Sequence, residues 1–151
     1  MPKTRSLRFL FTALFFILGF GLLAGCAGAD KTEEQFSFDM APLEQMPEDV
    51  RSAPVTVQEA YQFAFANPSI LSQIPCYCGC GAMGHPSNYA CYVAEASSDG
   101  TITYDNHALG CSICVDITQD TMRLLGEGKS TAEIKAVIDQ TYSQYGPSNM
   151  P

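Results

Sequence analysis

The sequence contains few basic residues. Its 151 residues include eight lysines and arginines against 16 aspartates and glutamates, which gives a formal net charge of −8 at pH 7. So little positive charge excludes nucleic acid as a partner, because phosphate binding needs a basic surface. An excess of acidic side chains instead suits a protein that meets cations or basic proteins.

Motifs of several enzyme and cofactor classes are also missing. Gly128-Lys129-Ser130 lacks the upstream glycine that a phosphate-binding loop requires, and no serine-centred hydrolase motif occurs. Val115 follows Cys114 where a haem attachment signal would have histidine. No Cys-x-x-Cys-x-x-Cys run indicates a ferredoxin-type cluster. The sequence therefore argues against hydrolysis, phosphoryl transfer, nucleotide binding and attached haem.

The N-terminus predicts export and lipid attachment. Three basic residues precede an apolar run over residues 9–23, which is too short for a membrane span and typical of a signal peptide. Leu23-Ala24-Gly25-Cys26 then matches a lipobox, so Cys26 is expected to carry diacylglycerol and palmitate as the mature N-terminus. We expect a lipoprotein on the extracytoplasmic face of the cell membrane, with a signal anchor or an ordinary signal-peptidase site as the alternative.

Four segments are expected along the chain. Residues 1–25 are the signal peptide, and their removal would leave five basic and 16 acidic residues, a formal charge of −11. Residues 26–54 are acidic and lack apolar periodicity, which predicts a flexible tether with Phe36 and Phe38 able to dock onto the domain. A cysteine-rich domain is expected over residues 55–146, followed by a tail at 147–151.

The patterning of this domain predicts a mainly α fold, a small helical domain with a short β-hairpin and cysteine-rich loops. Capping boxes at Thr56 and Ser130 open the first and the last helix. Ser98-Asp99-Gly100 is a turn signal between two short strand-like runs in residues 91–104. Helices are expected over residues 56–66, 69–74, 112–125 and 130–145.

Clustered cysteines are the main chemical signal. Apart from Cys26, the chain has six cysteines and two histidines within 39 positions, and we take all of them as candidate metal ligands: Cys76, Cys78, Cys80, His85, Cys91, His107, Cys111 and Cys114. An even number of exported cysteines permits three disulfides, but it equally permits six thiolates bound to metal.

The spacing within Cys76-Tyr-Cys78-Gly-Cys80 favours chelation. In extended backbone these side chains project to the same side, with Cα atoms about 6.5 Å apart per pair. A disulfide brings its sulfurs to about 2.05 Å, which strains a Cys-x-Cys ring. Sulfurs that bind one metal at about 2.3 Å need only approach to about 3.8 Å. The spacing does not exclude disulfides between this loop and Cys91, Cys111 or Cys114.

Cys111 and Cys114 lie at the predicted start of a helix, where the helix dipole should lower thiol pKa values. They are therefore candidate ligands and, alternatively, candidate redox nucleophiles. A neutral imidazole from His85 or His107 would complete a Cys₃His site. Asp105 is a candidate hydrogen-bond acceptor that orients His107, with the shaping of a turn as the alternative.

The chain resembles a known family in these residues. Pro75-Cys-Tyr-Cys-Gly-Cys80, Gly84-His85, Ser87-Asn88, Cys91, Asp105-x-His107 and Gly110-Cys111-x-x-Cys114 are similar to the PCYCGC-motif lipoproteins over residues 61–145. The resemblance implies a membrane-attached extracytoplasmic domain, with the eight cysteines and histidines as its signature and heavy-metal handling as its role.

A weaker similarity covers the C-terminal third. Cys-x-x-Cys, a helix and Leu125-Gly-Glu-Gly-Lys-Ser130 resemble the CcmH-type thiol subunit of cytochrome c maturation. That similarity implies a dithiol, here Cys111 and Cys114, that keeps partner cysteines reduced. The additional Cys-x-Cys-x-Cys loop has no counterpart in that subunit.

Three functions remain open at this point. The first is binding of Cu(I) or Zn(II) for handover or storage, with a metalloprotein or transporter as the partner. The second is thiol–disulfide exchange by Cys111 and Cys114, which would make the protein an oxidoreductase. The third is a scaffold stapled by three disulfides that binds another protein.

Overall fold

A computed structural model describes residues 38–98 and 100–150. Short 3₁₀ helices lie at Leu43–Gln45, Cys80–Met83, Tyr89–Cys91 and His107–Leu109. The mainly α class with a short hairpin is confirmed. In the described residues the α-helices and strands are α1 (Glu48–Arg51), α2 (Val55–Ala66), α3 (Pro68–Leu71), β1 (Val93–Ala96), β2 (Ile102–Tyr104), α4 (Ser112–Gly126) and α5 (Thr131–Tyr142).

Helix α4 is the centre of the packing, because both α2 and α5 contact it. Ile117 of α4, Tyr61 and Phe63 of α2, and Ile134 and Ile138 of α5 are all at most 1% exposed. Burying an aliphatic or aromatic side chain of this size contributes about 1.5–3 kcal/mol each. The helices therefore form a core that holds the N-terminus of α4, with its two cysteines, in a fixed place.

The helix starts agree only partly with the predicted caps. At α5 the capping box is confirmed, since Ser130 N–H donates to the Glu133 carboxylate at 2.8 Å and Glu133 N–H donates to Ser130 Oγ at 3.4 Å. The capping box at Thr56 is wrong, because α2 begins one residue earlier at Val55 without a side-chain cap. Pro54 precedes it, and a proline leaves no N–H unpaired at a helix start.

The hairpin forms in the region that the sequence predicts. Strands β1 and β2 pair antiparallel, with Val93 opposite Tyr104. Asp105 N–H then donates to Tyr92 C=O at 2.9 Å, which continues the pairing beyond the strands. The hairpin thereby brings the 3₁₀ helix Tyr89–Cys91, which precedes β1, next to the 3₁₀ helix His107–Leu109, which follows β2.

Part of the expected tether is folded. Ala41, Met46 and Val50 are buried, and Phe38 packs edge to face on Phe63 with ring centroids 5.1 Å apart. These apolar residues are irregularly spaced, so they show no periodicity in the sequence. From Phe38 onwards the chain therefore packs against the core, and the domain extends beyond its predicted start at residue 55.

The predicted signal peptide, the lipidation site at Cys26 and the docking residue Phe36 lie outside the described residues. In the part of the chain that is described, no helix has the length and apolar character needed to cross a membrane.

Candidate metal centre

The cysteines are held by loops that meet the start of α4. Residues 76–80 form a loop after α3, Cys111 is the N-cap of α4, and Cys114 lies in the first turn of that helix. Gly79 has a φ of +86°, a left-handed conformation that residues with a Cβ rarely adopt. This glycine lets the loop turn back into the following 3₁₀ helix.

The sulfur atoms of these segments lie close together. Cys76 Sγ is 3.4 Å from Cys78 Sγ and 3.5 Å from Cys114 Sγ. Cys78 Sγ is 3.6 Å from Cys114 Sγ and 3.4 Å from Nε2 of His107. Sulfurs around one tetrahedral ion lie about 3.8 Å apart, whereas disulfide sulfurs lie about 2.05 Å apart. The separations therefore fit a shared metal ion, and each of the six described cysteines is a free thiol.

The Cys/His cluster can hold a metal ion. Its most complete ligand group is Cys78, His107, Cys111 and Cys114, whose ligand atoms all lie within 4.8 Å of one another. Three thiolates and an imidazole are a common tetrahedral ligand set. Three of these residues are partly exposed, so this group is open to solvent. Smaller groups among the described residues are Cys76, Cys78 and Cys80; Cys76, Cys91 and Cys114; and Cys80, Cys91 and His107.

The structure thus brings seven of the eight predicted ligands together and leaves His85 to one side. His85 Nε2 lies 3.4 Å from Asp105 Oδ2, and the ring packs edge to face on His107 with centroids 5.2 Å apart. His85 Nδ1 is buried and has no hydrogen-bond partner among the described residues. The residue also lines an adjoining cleft of about 500 Å³, together with Asp105 and the exposed Met83.

Asp105 links the two histidines. Its Oδ1 accepts the backbone N–H of His107 at 2.7 Å, while its Oδ2 faces His85. Asp105 therefore shapes this turn through the backbone amide of His107, and in the described residues it does not accept a hydrogen bond from the His107 imidazole. Tyr61 O–H donates to the Asp105 carbonyl at 2.8 Å, which ties this turn to α2.

A buried hydrogen-bond network holds Cys114 in place. Tyr92 O–H donates to the Cys114 carbonyl at 2.8 Å and lies 2.7 Å from Thr118 Oγ1. Asn88 Nδ2 donates to the same carbonyl at 3.3 Å, and Asn88 N–H donates to Ile74 C=O at 2.8 Å. Tyr92, Asn88 and Thr118 are all 0% exposed. Buried polar groups that satisfy one another fix a unique geometry, here between α4 and the start of the cysteine loop.

The C-terminal tail closes over the cysteine loop through Asn149. Its Oδ1 accepts Cys76 N–H at 2.7 Å, and its own N–H donates to Cys76 C=O at 3.1 Å. Its Nδ2 donates to His85 C=O at 3.0 Å and lies 3.5 Å from Cys80 Sγ. Asn149 therefore holds both ends of the loop that carries three of the sulfurs.

Sequence patterning missed this clasp, because residues 147–151 follow a helix stop and contain no periodic or motif-like feature. The glycine at position 146 is the one sequence signal for this contact. A Cβ at Gly146 would lie 2.8 Å from the carbonyl oxygen of Tyr77, so only glycine lets the tail approach the loop this closely.

The sulfurs also change one another's protonation. Hydrogen bonds from the Cys114 and Cys91 thiols hold the pKa of Cys76 well below its usual range. The hydrogen bond to Cys76 raises the pKa of Cys114, so the predicted lowering at this helix N-terminus is wrong for Cys114. Burial and the charge of Cys76 raise the pKa of Cys78 and Cys80. Metal binding to the cysteines whose pKa is raised must displace their protons.

Comparison with protein families agrees with this cluster. The family described as "Protein of unknown function with PCYCGC motif" matches residues 14–151. The chain belongs to this PCYCGC family. The six letters of the motif are Pro75 to Cys80, so the family motif is the loop that Asn149 clasps. No curated protein and no solved structure matches the chain. The C-terminal similarity to the CcmH-type subunit stays a prediction.

Proposed function

We propose that this PCYCGC protein binds a thiophilic metal ion, Cu(I) or Zn(II), for handover or storage at the outer face of the cell membrane. The observation that carries the proposal is the group of Cys78, His107, Cys111 and Cys114, with every ligand atom within 4.8 Å of the others. Three thiols and an imidazole from separate segments of the chain thus converge at metal-ligand separations.

The ligand types narrow the choice of ion. Thiolate sulfur is a soft ligand that selects Cu(I) and Zn(II), and imidazole suits zinc and copper alike. Calcium and magnesium prefer oxygen ligands, which this group lacks. Zn(II) would bind all four ligands in a tetrahedron, whereas Cu(I) would need fewer thiolate ligands.

Partial exposure favours handover. Cys78, His107 and Cys111 are partly exposed, so a competing ligand from another protein can reach an ion bound there. A lipid on Cys26 would keep the carrier next to membrane metalloproteins or transporters. The net charge of −8 would further attract cations to the protein.

The proposal is tested by metal analysis of the full chain, extracted from membranes in detergent without added metal. We expect copper or zinc to copurify with the wild-type protein and the amount of bound metal to fall in the variant Cys78→Ser/Cys111→Ser, which lacks two of the four ligands of this group. Gln140→Ala is the matched control, since Gln140 is exposed on α5 and its amide is not a ligand for a thiophilic ion. A metal-free protein that also gains neither Cu(I) nor Zn(II) under reducing conditions would contradict the proposal.

Thiol–disulfide exchange is the second candidate, because Cys111 is partly exposed and Cys114 is buried beside it. An accessible thiol next to a shielded one is the arrangement that attack and resolution of a mixed disulfide require. The test is the reduction potential of this pair. A value below about −300 mV, the range of inert structural disulfides, would exclude the redox function.

A further inference from the structure

The four-ligand group does not use all the sulfur at this centre. An ion held by Cys78, His107, Cys111 and Cys114 leaves three thiols without a metal. These are Cys76, Cys80 and Cys91, with exposures of 0%, 1% and 0%. Water does not reach them, so a role as solvent-facing thiols is excluded.

The three remaining sulfurs form a ligand group of their own. Cys80 Sγ lies 3.7 Å from Cys91 Sγ. The pairs Cys76 with Cys80, Cys76 with Cys91, and Cys80 with Cys91 each occur in a group whose ligand atoms are within 4.8 Å. Every pair among the three is therefore close enough to share one ion. The seven ligand atoms divide into a partly exposed group of four and a buried group of three.

Two sulfurs of the four-ligand group, those of Cys78 and Cys114, also lie within 4.8 Å of two of the three buried sulfurs. Of these two residues, Cys114 is the buried one. Cys114 Sγ belongs to the four-ligand group and is also within 4.8 Å of both Cys76 and Cys91. Its distance from Cys76 Sγ is 3.5 Å. A thiolate sulfur has more than one lone pair and can bind two ions at once, so Cys114 is placed to bridge them.

We propose that the centre holds two thiophilic ions: an outer ion on Cys78, His107, Cys111 and Cys114, and an inner ion on Cys76, Cys80 and Cys91, with the Cys114 sulfur shared. This inference rests on the proposed function and adds the number of metal ions bound per chain. Each bound sulfur is a thiolate, so every cysteine of the centre that is still protonated releases its proton to solvent as the two positions fill. Two divalent ions would offset four of the six thiolate charges.

The two positions differ in how fast they exchange. A competing ligand can reach the outer ion through its partly exposed residues, whereas the inner ion is surrounded by buried sulfurs. We expect the outer ion to be the one that is handed over. The inner ion would stay and hold the loop of residues 76–80 against the start of α4.

The experiment is a titration of the full chain with ¹¹³Cd(II) under anaerobic, reducing conditions, followed by native mass spectrometry and ¹¹³Cd NMR. We expect two cadmium ions per chain and two resonances that split each other through the shared sulfur. A single bound ion would overturn the two-ion inference and leave the proposed function intact. No bound ion would overturn both, and two resonances without mutual splitting would overturn the shared sulfur.

Exchange kinetics and one variant give an independent check. An excess of EDTA should remove one cadmium at least about tenfold faster than the other, and equal rates would contradict the division into outer and inner positions. Cys111→Ser, at a partly exposed position, should lose the fast ion and keep the slow one. Loss of the slow ion in Cys111→Ser would also contradict the proposal. The exchange rates of the wild-type protein test the division into outer and inner ions even if a variant folds poorly.

Discussion

The Sγ atoms of Cys76 and Cys114 lie 3.5 Å apart, although 38 positions separate the two residues in the chain. Cys76 lies in the loop after α3, and Cys114 lies in the first turn of α4. The helical core and the buried network around Asn88 and Tyr92 bring these two segments together. The centre is therefore a product of the tertiary fold and not of local spacing alone.

The two histidines should differ in their effect on metal binding. Replacement of His107 by alanine removes one of four ligands, so it should cost more than the about 10–100-fold loss in affinity typical of a supporting residue. His85→Ala is the matched control, because His85 belongs to no ligand group in the described residues. The measurement is competitive titration against a chelator of known affinity. Equal losses in both variants would contradict the assignment of His107 as the ligand.

Asn149 should stabilise the centre from a distance in sequence. Asn149→Ala removes the side-chain hydrogen bonds to Cys76 N–H and His85 C=O, and leaving buried partners unpaired costs about 1–3 kcal/mol. We expect lower stability to urea and faster metal dissociation. Gln140→Ala, at an exposed position on α5, is the control and should change neither. An Asn149→Ala protein with unchanged stability and dissociation rate would contradict the clasp.

The sequence predicts some parts of this metal centre and not others. The identity of the cysteines was clear because they are chemically unusual and closely spaced, and the helix start at Cys111 followed from ordinary patterning. The role of Asn149 was not accessible, because a single polar residue after a helix stop carries no periodic or motif signal. Both histidines lie within the cysteine-rich stretch of the sequence, so only the packing around Asp105 distinguishes them.

The fold shows the same division. The hairpin and the Ser130 cap follow from local chemistry, and both form. The predicted docking of Phe38 is confirmed, whereas the burial of Ala41 and Met46 depends on a surface that only the assembled helices provide. Local rules also failed at Thr56, because Pro54, two residues upstream, is the N-cap of the helix.

Asp139 should make stability depend on pH in the acid range. Burial raises its pKa, but hydrogen bonds from Lys135 and Tyr77 outweigh this effect and lower it overall. A carboxyl with a lowered folded-state pKa stabilises the protein above its unfolded pKa, about 3.9, and this contribution is lost as the pH falls through the folded-state pKa. Because the Lys135–Asp139 ion pair is partly exposed and screened by solvent, Asp139→Asn should lower the free energy of unfolding by less than about 1 kcal/mol at pH 7.

Urea unfolding of the wild-type protein and of Asp139→Asn checks this prediction. The difference in unfolding free energy should be present at pH 7 and shrink as the pH falls below about 4. A difference that stays constant over this range would show that the Asp139 carboxylate charge does not stabilise the fold.

The lipid anchor at Cys26 is a separate prediction. Cys26→Ala should abolish acylation, so the protein should leave the detergent-rich phase in a phase-partition experiment and lose the mass of the lipid. Cys111→Ala is the matched control, since that cysteine lies in the metal centre and should leave acylation unchanged. A Cys26→Ala protein that still carries lipid would contradict the lipobox prediction.

X-ray absorption at the zinc or copper edge of the metal-loaded full chain tests the central claim most directly. The account predicts a first shell dominated by sulfur at about 2.3 Å, with a nitrogen contribution at about 2.0 Å when the ion is zinc. A shell of oxygen and nitrogen without sulfur would place the ion on the acidic surface and contradict the account.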